Sequence, residues 1–284
     1  MAADHGDSKQ QKKKRQRDTK KTEVYRKHLS DILENREALL EQACVEYRAW
    51  LKKLGLSSGL DALTKRNRAA DKADGSAAVA KFRSTVAKQG TRSDKIAALT
   101  LNVQESPIHH HLELQELIET AKDHNRRNRI SCIQSIQDLL LHDLLPDSRS
   151  LKSFSSSIDI FAQHFGVLTK RHILYALYED KLKSLFGEFL SALDICAKDP
   201  IAHVRLQVVQ TLYSLLKQKP EKEQAVLTML VNKFGDPDRK IASKATFCLH
   251  LIVSDHPAMK LIVVRDVGAL VTRPHVNERS LYCA

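Results

Sequence analysis

The sequence predicts an all-α protein, and two features carry this prediction. Hydrophobic residues make up 42% of the 284 residues and aromatic residues only 5%, while Gly and Pro are sparse, a composition that favours helices. The dipeptide Asp199-Pro200 recurs 37 residues later as Asp236-Pro237, each time before an apolar helical pattern. Paired helices that repeat at about this period predict a HEAT-like α-solenoid, in which each repeat buries its apolar face against its neighbours.

The Asp-Pro dipeptides are expected to open the repeat helices. Pro at the first helical position gives up an N–H that has no partner there, and a preceding Asp accepts hydrogen bonds from the free N–H groups of the first turn. Arg205 lies six residues after Asp199, within reach of that carboxylate or of the next repeat, whereas Ala242 occupies the equivalent position in the second repeat. The predicted repeat-structure residues are Asp199, Pro200, Arg205, Asp236 and Pro237.

Composition divides the chain into four segments. Residues 1–22 contain hardly an apolar residue, so we expect a disordered basic tail. Residues 23–55 predict an amphipathic helix, because apolar residues recur every seven positions before Gly55, a typical C-cap. Residues 56–92, rich in Ser, Ala, Lys, Asp and Gly, predict a flexible basic linker, and residues 93–284 form the predicted solenoid domain.

Within the predicted domain, apolar spacing predicts helices on both sides of a Ser-rich stretch. Three helices precede Pro146, a long loop is expected over residues 146–172, and a long helix follows from about His172 to Ala197. Arg126, Arg127 and Arg129 are expected on a solvated helix turn, with a local basic patch as the alternative. The chain stops inside a further helical pattern after Val271, which predicts a domain truncated at its C-terminus.

The positive charge is concentrated at the front of the chain. The net charge is +12, of which residues 1–95 carry +10 and the remaining 189 residues only +2. Uniform nucleic-acid binding by the solenoid is therefore not indicated. The tail predicts a nuclear or nucleolar targeting signal or an RNA contact through phosphate charge, with a solubility tail as the alternative. The basic residues concerned are Lys12, Lys13, Lys14, Arg15, Arg17, Lys20 and Lys21.

Several functional classes lack a supporting pattern. The sequence has no run of 18 apolar residues, so it predicts no membrane span. The charged first twenty residues do not resemble a secretory signal. The five cysteines lie far apart, so they predict reduced core thiols and no zinc site. Three consecutive histidines, His109–His111, point in different directions on a helix and make a poor metal site.

Catalytic patterns are likewise missing from the sequence. It contains no phosphate-binding Gly-rich loop and no nucleophile elbow. We therefore expect no enzymatic activity, no cofactor and no small-molecule substrate. A cargo carrier is compatible with a repeat architecture alone.

A set of short motifs, in order along residues 91–284, resembles the CCAAT-binding factor domain of the nucleolar complex-associated protein family. The motifs that carry the resemblance are Ser93–Leu99, Val103–His109, His142–Asp147, Tyr178–Lys183, Leu230–Ala245 and His256–Lys260. The resemblance is to the N-terminal part of the family domain, which normally continues beyond Arg279.

The resemblance implies a HEAT-like scaffold in the nucleus and nucleolus that helps to assemble the large ribosomal subunit. Its expected partners are another nucleolar complex protein, early pre-60S particles and pre-rRNA. The family name also suggests the alternative of a transcription regulator at CCAAT promoters, but the sequence shows no zinc finger, helix-turn-helix or basic zipper.

Four basic residues around the second Asp-Pro turn are the candidate rRNA or partner contact. They are Lys233, Arg239, Lys240 and Lys244. A solvated helix start is the alternative interpretation of this cluster.

Overall fold

A computed structural model describes residues 36–53, 90–123, 125–165, 170–274 and 276–283. Within these ranges the chain forms eleven α-helices and no strand, which confirms the predicted all-α class. The helices are α1 Arg36–Lys53, α2 Arg92–Glu105, α3 His111–Lys122, α4 Arg126–Leu139, α5 Phe154–Phe165, α6 Lys170–Ala197, α7 Ala202–Gln218, α8 Glu223–Val231, α9 Arg239–Asp255, α10 Lys260–Val271 and α11 Glu278–Cys283. A π turn, Leu140–Leu144, extends α4, and 3₁₀ turns at Asn232–Gly235 and Pro257–Met259 follow α8 and α9.

Helices α2 to α10 stack in two layers, as expected for a solenoid. In one layer α2, α4, α7 and α9 pack side by side, each against the next. In the other layer α3 packs on α6, and α8 packs on α10. The turns that lead from the second layer back to the first are α3–α4, α6–α7 and α8–α9, and they are called the interlayer turns below. Helix α5 stands outside the alternation and packs on α6.

The apolar periodicity of the sequence explains this packing. On α7 the residues that recur every three or four positions, including Val204, Val208 and Leu212, are at most 1% exposed. On α9, Ile241, Ala245 and Ile252 lie four and seven residues apart and are likewise at most 1% exposed. Because a helix carries side chains three and four residues apart on one face, each helix presents one apolar stripe to the shared core.

The predicted helix boundaries agree with the structure in most of the domain. The long helix expected from about His172 to Ala197 is confirmed as α6, and the apolar helix expected up to Val271 is confirmed as α10. The long loop predicted over residues 146–172 was wrong, since Phe154–Phe165 is helical. The many serines of this segment obscured the apolar face of the helix, on which Phe154 and Ile158 are fully buried.

The loop before α5 is held by charged side chains from α6 and from the turn after α7. The Glu221 carboxylate accepts a hydrogen bond from the Leu151 N–H at 2.6 Å, and Lys183 donates to the Leu151 carbonyl at 2.9 Å. Lys219, only 5% exposed, donates to the Leu145 carbonyl at 2.8 Å and pairs with Asp147. These bonds supply the partners that buried backbone groups require.

The tail (1–22) and nearly all of the linker (56–92) lie outside the described residues, so their predicted character remains a prediction. Helix α1 lies inside the segment predicted as amphipathic, and its Leu40 is 3% exposed. No single described helix is long and apolar enough to cross a membrane; α9 with the segment Pro257–Val271 meets that test jointly but is bent by 116°.

Gly235, at the end of the 3₁₀ turn, allows α11 to approach closely. A Cβ atom added at Gly235 would lie 2.6 Å from the Oγ of Ser280 and 4.0 Å from its Cβ. Ser280 is buried at 4% exposure, so its hydroxyl has little room to move. By contrast, a Cβ at Gly187, inside α6, would meet only the Nζ of the exposed Lys222, at 2.7 Å.

We expect Gly235→Ala to lower the free energy of unfolding by about 1 kcal/mol, as overpacking does. Adding Ser280→Ala removes the hydroxyl and should restore the lost stability, because the remaining Cβ is at contact distance. Gly187→Ala is the control, and it should stabilise the chain by about 0.5–1 kcal/mol because Ala favours a helix interior. Urea denaturation of the three variants and of the unmodified chain measures all three effects. A double variant no more stable than Gly235→Ala would contradict this packing.

Candidate interaction surface at the interlayer turns

Two buried arginines join successive interlayer turns of the solenoid. Arg129, at the start of α4, donates from its Nη1 to the Asp199 carboxylate at 2.8 Å across to the α6–α7 turn. Both side chains are at most 7% exposed. Arg129 also donates to the carbonyl of Asp123 in its own turn, at 2.6 and 2.9 Å. One side chain therefore fixes the α3–α4 turn and binds it to the next.

Arg205 repeats this arrangement one repeat further along. Its Nε and Nη2 donate to the two oxygens of Asp236 at 3.0 and 3.1 Å, a fork geometry. Its Nη1 donates to the carbonyl of Asp199 at 2.7 Å. The Asp236 side chain is only 1% exposed, and paired geometry of this kind combines strength with orientation. Of the two targets the sequence left open for Arg205, the carboxylate reached is that of the next repeat.

The two arginines define an Asp–Arg ladder with a fixed spacing. Asp123 and Arg129 are six residues apart, as are Asp199 and Arg205. Each arginine binds its own turn through a backbone carbonyl and the following turn through a carboxylate. The ladder ends at Asp236, because the residue six positions later is Ala242 and not an arginine. The sequence did not reveal the Arg129–Asp199 pair, because Asp123 is not followed by Pro. The expectation of a solvated turn was wrong for Arg129.

The Asp-Pro dipeptides lie before the helices that they were predicted to open. Helix α7 begins at Ala202 after the N-cap Ile201, and α9 begins at Arg239 after the N-cap Asp238. The prediction that Pro occupies the first helical position was therefore wrong. Instead, the carboxylates of Asp199 and Asp236 accept hydrogen bonds from the N–H groups two residues later, at 2.9 and 3.0 Å. Each carboxylate thus shapes its own turn while it receives the arginine of the preceding repeat.

Lys233 belongs to the ladder and is separated from the other three candidate contact residues. Its side chain is 13% exposed and lies 3.4 Å from the Asp236 carboxylate. Its ammonium group also donates to the carbonyl of Ala197. Burial lowers the pKa of Lys233, and the Asp236 charge opposes that shift. The lysine is engaged inside the protein.

Arg239, Lys240 and Lys244 lie at the surface in the first two turns of α9. Arg239 and Lys240 are exposed, and Lys244 is partly exposed. The Asp238 carboxylate caps the helix by accepting from the Lys240 N–H at 2.8 Å. The Lys244 ammonium lies 5.4 Å from the ring centroid of Phe247, a cation–π distance. These three cations form a basic surface at the last interlayer turn of the ladder.

Three cysteines and two histidines that could act as nucleophiles or metal ligands are instead part of the packed fold. Cys132, Cys196 and Cys248 are buried free thiols, as predicted, and burial raises the pKa of Cys132 to about 12, which disfavours a thiolate. His111 is 3% exposed and bonds to the Ile108 carbonyl at 3.0 Å, while His109 contacts the Ser106 hydroxyl at 2.6 Å. Among the described residues no group of three potential ligands is placed to hold a metal ion.

Comparison with known proteins relates the chain to several curated proteins. It is 37% identical over 220 residues to the Ribosome biogenesis protein NOC1 of Chaetomium thermophilum, which covers 72% of this chain. It is 31% identical over 211 residues to Nucleolar complex protein 1 of Drosophila melanogaster, and 29% identical over 204 residues to the human CCAAT/enhancer-binding protein zeta. No protein-family profile matches the chain.

The chain belongs to the CCAAT-binding factor and nucleolar complex-associated protein family. This confirms the family resemblance found in the sequence motifs. The match covers 72% of this chain but only 21% of the Chaetomium relative and 18% of the Drosophila relative. This member of the family therefore spans about a fifth of the length of the curated relatives that it matches.

The ladder gives a sharp stability prediction for this family member. Asp236→Ala removes the partner of Arg205 and of Lys233 and leaves both cations buried, so we expect a loss of about 3–5 kcal/mol in the free energy of unfolding. Glu116→Ala is the control, because its exposed pair with Lys95 lies between α2 and α3, outside the ladder, and a pair of this kind is worth about 0–1 kcal/mol. Thermal and urea denaturation of both variants provide the comparison. Equal stability of the two variants would refute a structural role for the ladder.

Proposed function

We propose that the chain is a non-enzymatic scaffold of ribosome biogenesis in the nucleus and nucleolus. It would help to assemble early large-subunit, pre-60S particles through contacts with another nucleolar complex protein and with pre-rRNA. The observation that carries this proposal is the similarity, at 37% and 31% identity, to relatives named for ribosome biogenesis and for a nucleolar complex.

The structure supports the scaffold part of the proposal through its rigidity and its surface. Buried arginines bind successive turns, so the relative placement of the helix pairs is fixed before any partner arrives, which reduces the ordering cost of binding. The thiols of Cys132, Cys196 and Cys248 are buried, and His109 and His111 form hydrogen bonds within their own segment. A binding role needs no more than these fixed surfaces.

Charge divides the proposed RNA contacts into two classes. The tail residues Lys12–Lys21 supply a non-specific contact through phosphate charge and a nuclear targeting signal. The three cations Arg239, Lys240 and Lys244 supply a second contact at a defined position of the solenoid. The near-neutral remainder of residues 96–284 is left for protein contacts.

A transcription regulator at CCAAT promoters is the second candidate function. The observation that favours it is the similarity to the CCAAT/enhancer-binding protein zeta of human and mouse, 29% identical to each. Chromatin immunoprecipitation of the tagged chain separates the two functions, because a regulator would occupy CCAAT promoters even after RNase treatment.

Sedimentation of the tagged chain through a sucrose gradient tests the leading proposal. We expect co-migration with pre-60S particles, and a shift to the top of the gradient after RNase treatment. A chain in which the seven tail cations are changed to Gln and a heterologous nuclear signal is added separates targeting from RNA contact. Sedimentation of the unmodified chain as a free protein would count against the scaffold function.

The surface of α9 gives a second cellular prediction. Changing Arg239, Lys240 and Lys244 to Gln should weaken particle association several-fold, whereas Lys233 stays unchanged because it belongs to the ladder. Arg92, Lys95 and Lys217 changed to Gln remove the same charge from exposed positions on α2 and α7, and association should remain at the unmodified level. Loss of association in both triple variants would mean that only net charge matters.

A further inference from the structure

Beyond the three cations, the outward face of α9 carries an exposed aromatic ring. Positions 240, 244 and 247 lie on one face of the helix, because residues three, four and seven apart share a face. Phe247 is 53% exposed, whereas Phe154, Phe186, Phe189 and Phe234 are at most 2% exposed. The described phenylalanines of the core are thus deeply buried, and Phe247 is held outside it.

The surroundings of Phe247 differ from those of an apolar protein interface. Lys244 holds its ammonium 5.4 Å from the ring centroid, and Lys240 lies one turn further towards the helix start. Exposed Ser243 and His250 also flank the ring. The cores of protein–protein interfaces are depleted of lysine and serine. An aromatic ring bordered by cations is instead typical of surfaces that bind nucleic acid.

Electrostatics along α9 also favour an anionic ligand. From Arg239 to Ser254 the helix contains no acidic residue, although the N-terminal end of a helix dipole is stabilised by negative charge and destabilised by cations. The adjacent Asp238 carboxylate is used in the helix cap. The cations therefore lie at the helix end where they are least favourable, and a phosphate group would relieve that repulsion.

We propose that Phe247 is a stacking platform for an unpaired base of single-stranded RNA, with Lys240 and Lys244 contacting the adjoining phosphates. The seven-residue separation from Lys240 to Phe247 spans about 10 Å along the helix, so one short RNA segment reaches both groups. Double-stranded RNA keeps its bases in the helical stack, whereas an unpaired base offers its face to an aromatic side chain. The surface therefore selects unpaired RNA.

This inference deepens the proposed pre-rRNA contact and rests on it for its biological setting. Its test uses purified protein and synthetic RNA, so it does not depend on association with pre-ribosomal particles. If Phe247 binds RNA but the chain does not sediment with particles, the scaffold function fails alone. If particles bind the chain while Phe247 is irrelevant to RNA affinity, the stacking proposal fails alone.

Fluorescence anisotropy measures the affinity of the full-length chain for a 5′-labelled single-stranded RNA of about ten nucleotides, within the range of sites that aromatic and basic grooves bind. The seven tail cations are changed to Gln in every sample, so that the tail does not mask the solenoid. A duplex RNA of the same length is the second probe. Circular dichroism verifies that each variant keeps its helical content.

Phe247→Ala should weaken single-strand binding about tenfold, the size of one stacking contact, and leave duplex binding unchanged. Phe247→Leu keeps an apolar side chain without a π-face and should weaken binding similarly, whereas Phe247→Trp should retain it. Changing Lys240 and Lys244 to Gln should reduce the dependence of affinity on salt, because two phosphate contacts are lost.

Three results would overturn the proposal. They are Phe247→Leu binding as tightly as the unmodified residue, equal affinity for single-stranded and duplex RNA, and no measurable RNA affinity once the tail charge is removed. If RNA affinity is absent but Phe247→Ala abolishes RNase-resistant capture of a nucleolar protein, the ring is a protein contact and the stacking proposal is wrong.

Discussion

The fork between Arg205 and Asp236 is the interaction on which the described solenoid depends most. It is buried, it joins two repeats, and each of its partners has a second task in its own turn. Burying a charge is costly unless the charge is paired and hydrogen-bonded. Here the guanidinium gains two carboxylate oxygens and two carbonyls, which satisfies it almost fully. The cost of burying these charges is offset only when the pair forms, and the pair forms only when both turns have their native shape.

This requirement determines where the surface groups lie. The Asp236 carboxylate fixes the turn from which α9 starts, so it also fixes the direction in which Lys240, Lys244 and Phe247 project. The same carboxylate binds Lys233, a cation that from sequence looks like a neighbour of the surface group but belongs to the interior. One buried acid thus separates a structural lysine from the exposed ones, and connects the stability of the repeat to the shape of the basic surface.

The sequence predicts the helices more completely than it predicts the contacts between them. Apolar spacing alone is enough to locate α6 and α10. It fails at α5, where serines on the exposed face conceal the buried Phe154 and Ile158. It also fails at Arg129, because nothing local distinguishes a buried arginine from a solvated one when its partner lies 70 residues away. For a similar reason, the sequence alone did not identify Phe247 as a surface residue. Its exposure depends on which face of α9 packs against α7.

Charge distribution also bears on the proposal that a nearly neutral solenoid binds RNA at one place. Most basic side chains of residues 96–284 are balanced by acids, as the net charge of +2 shows, so long-range attraction there is weak and falls off within about 10 Å at 0.1 M salt. An RNA would be drawn in by the basic front of the chain and would find a preferred position only where cations and an aromatic ring are held together. That combination needs the fixed turn that the buried Arg205–Asp236 pair supplies, so the proposed RNA-binding face depends on the ladder.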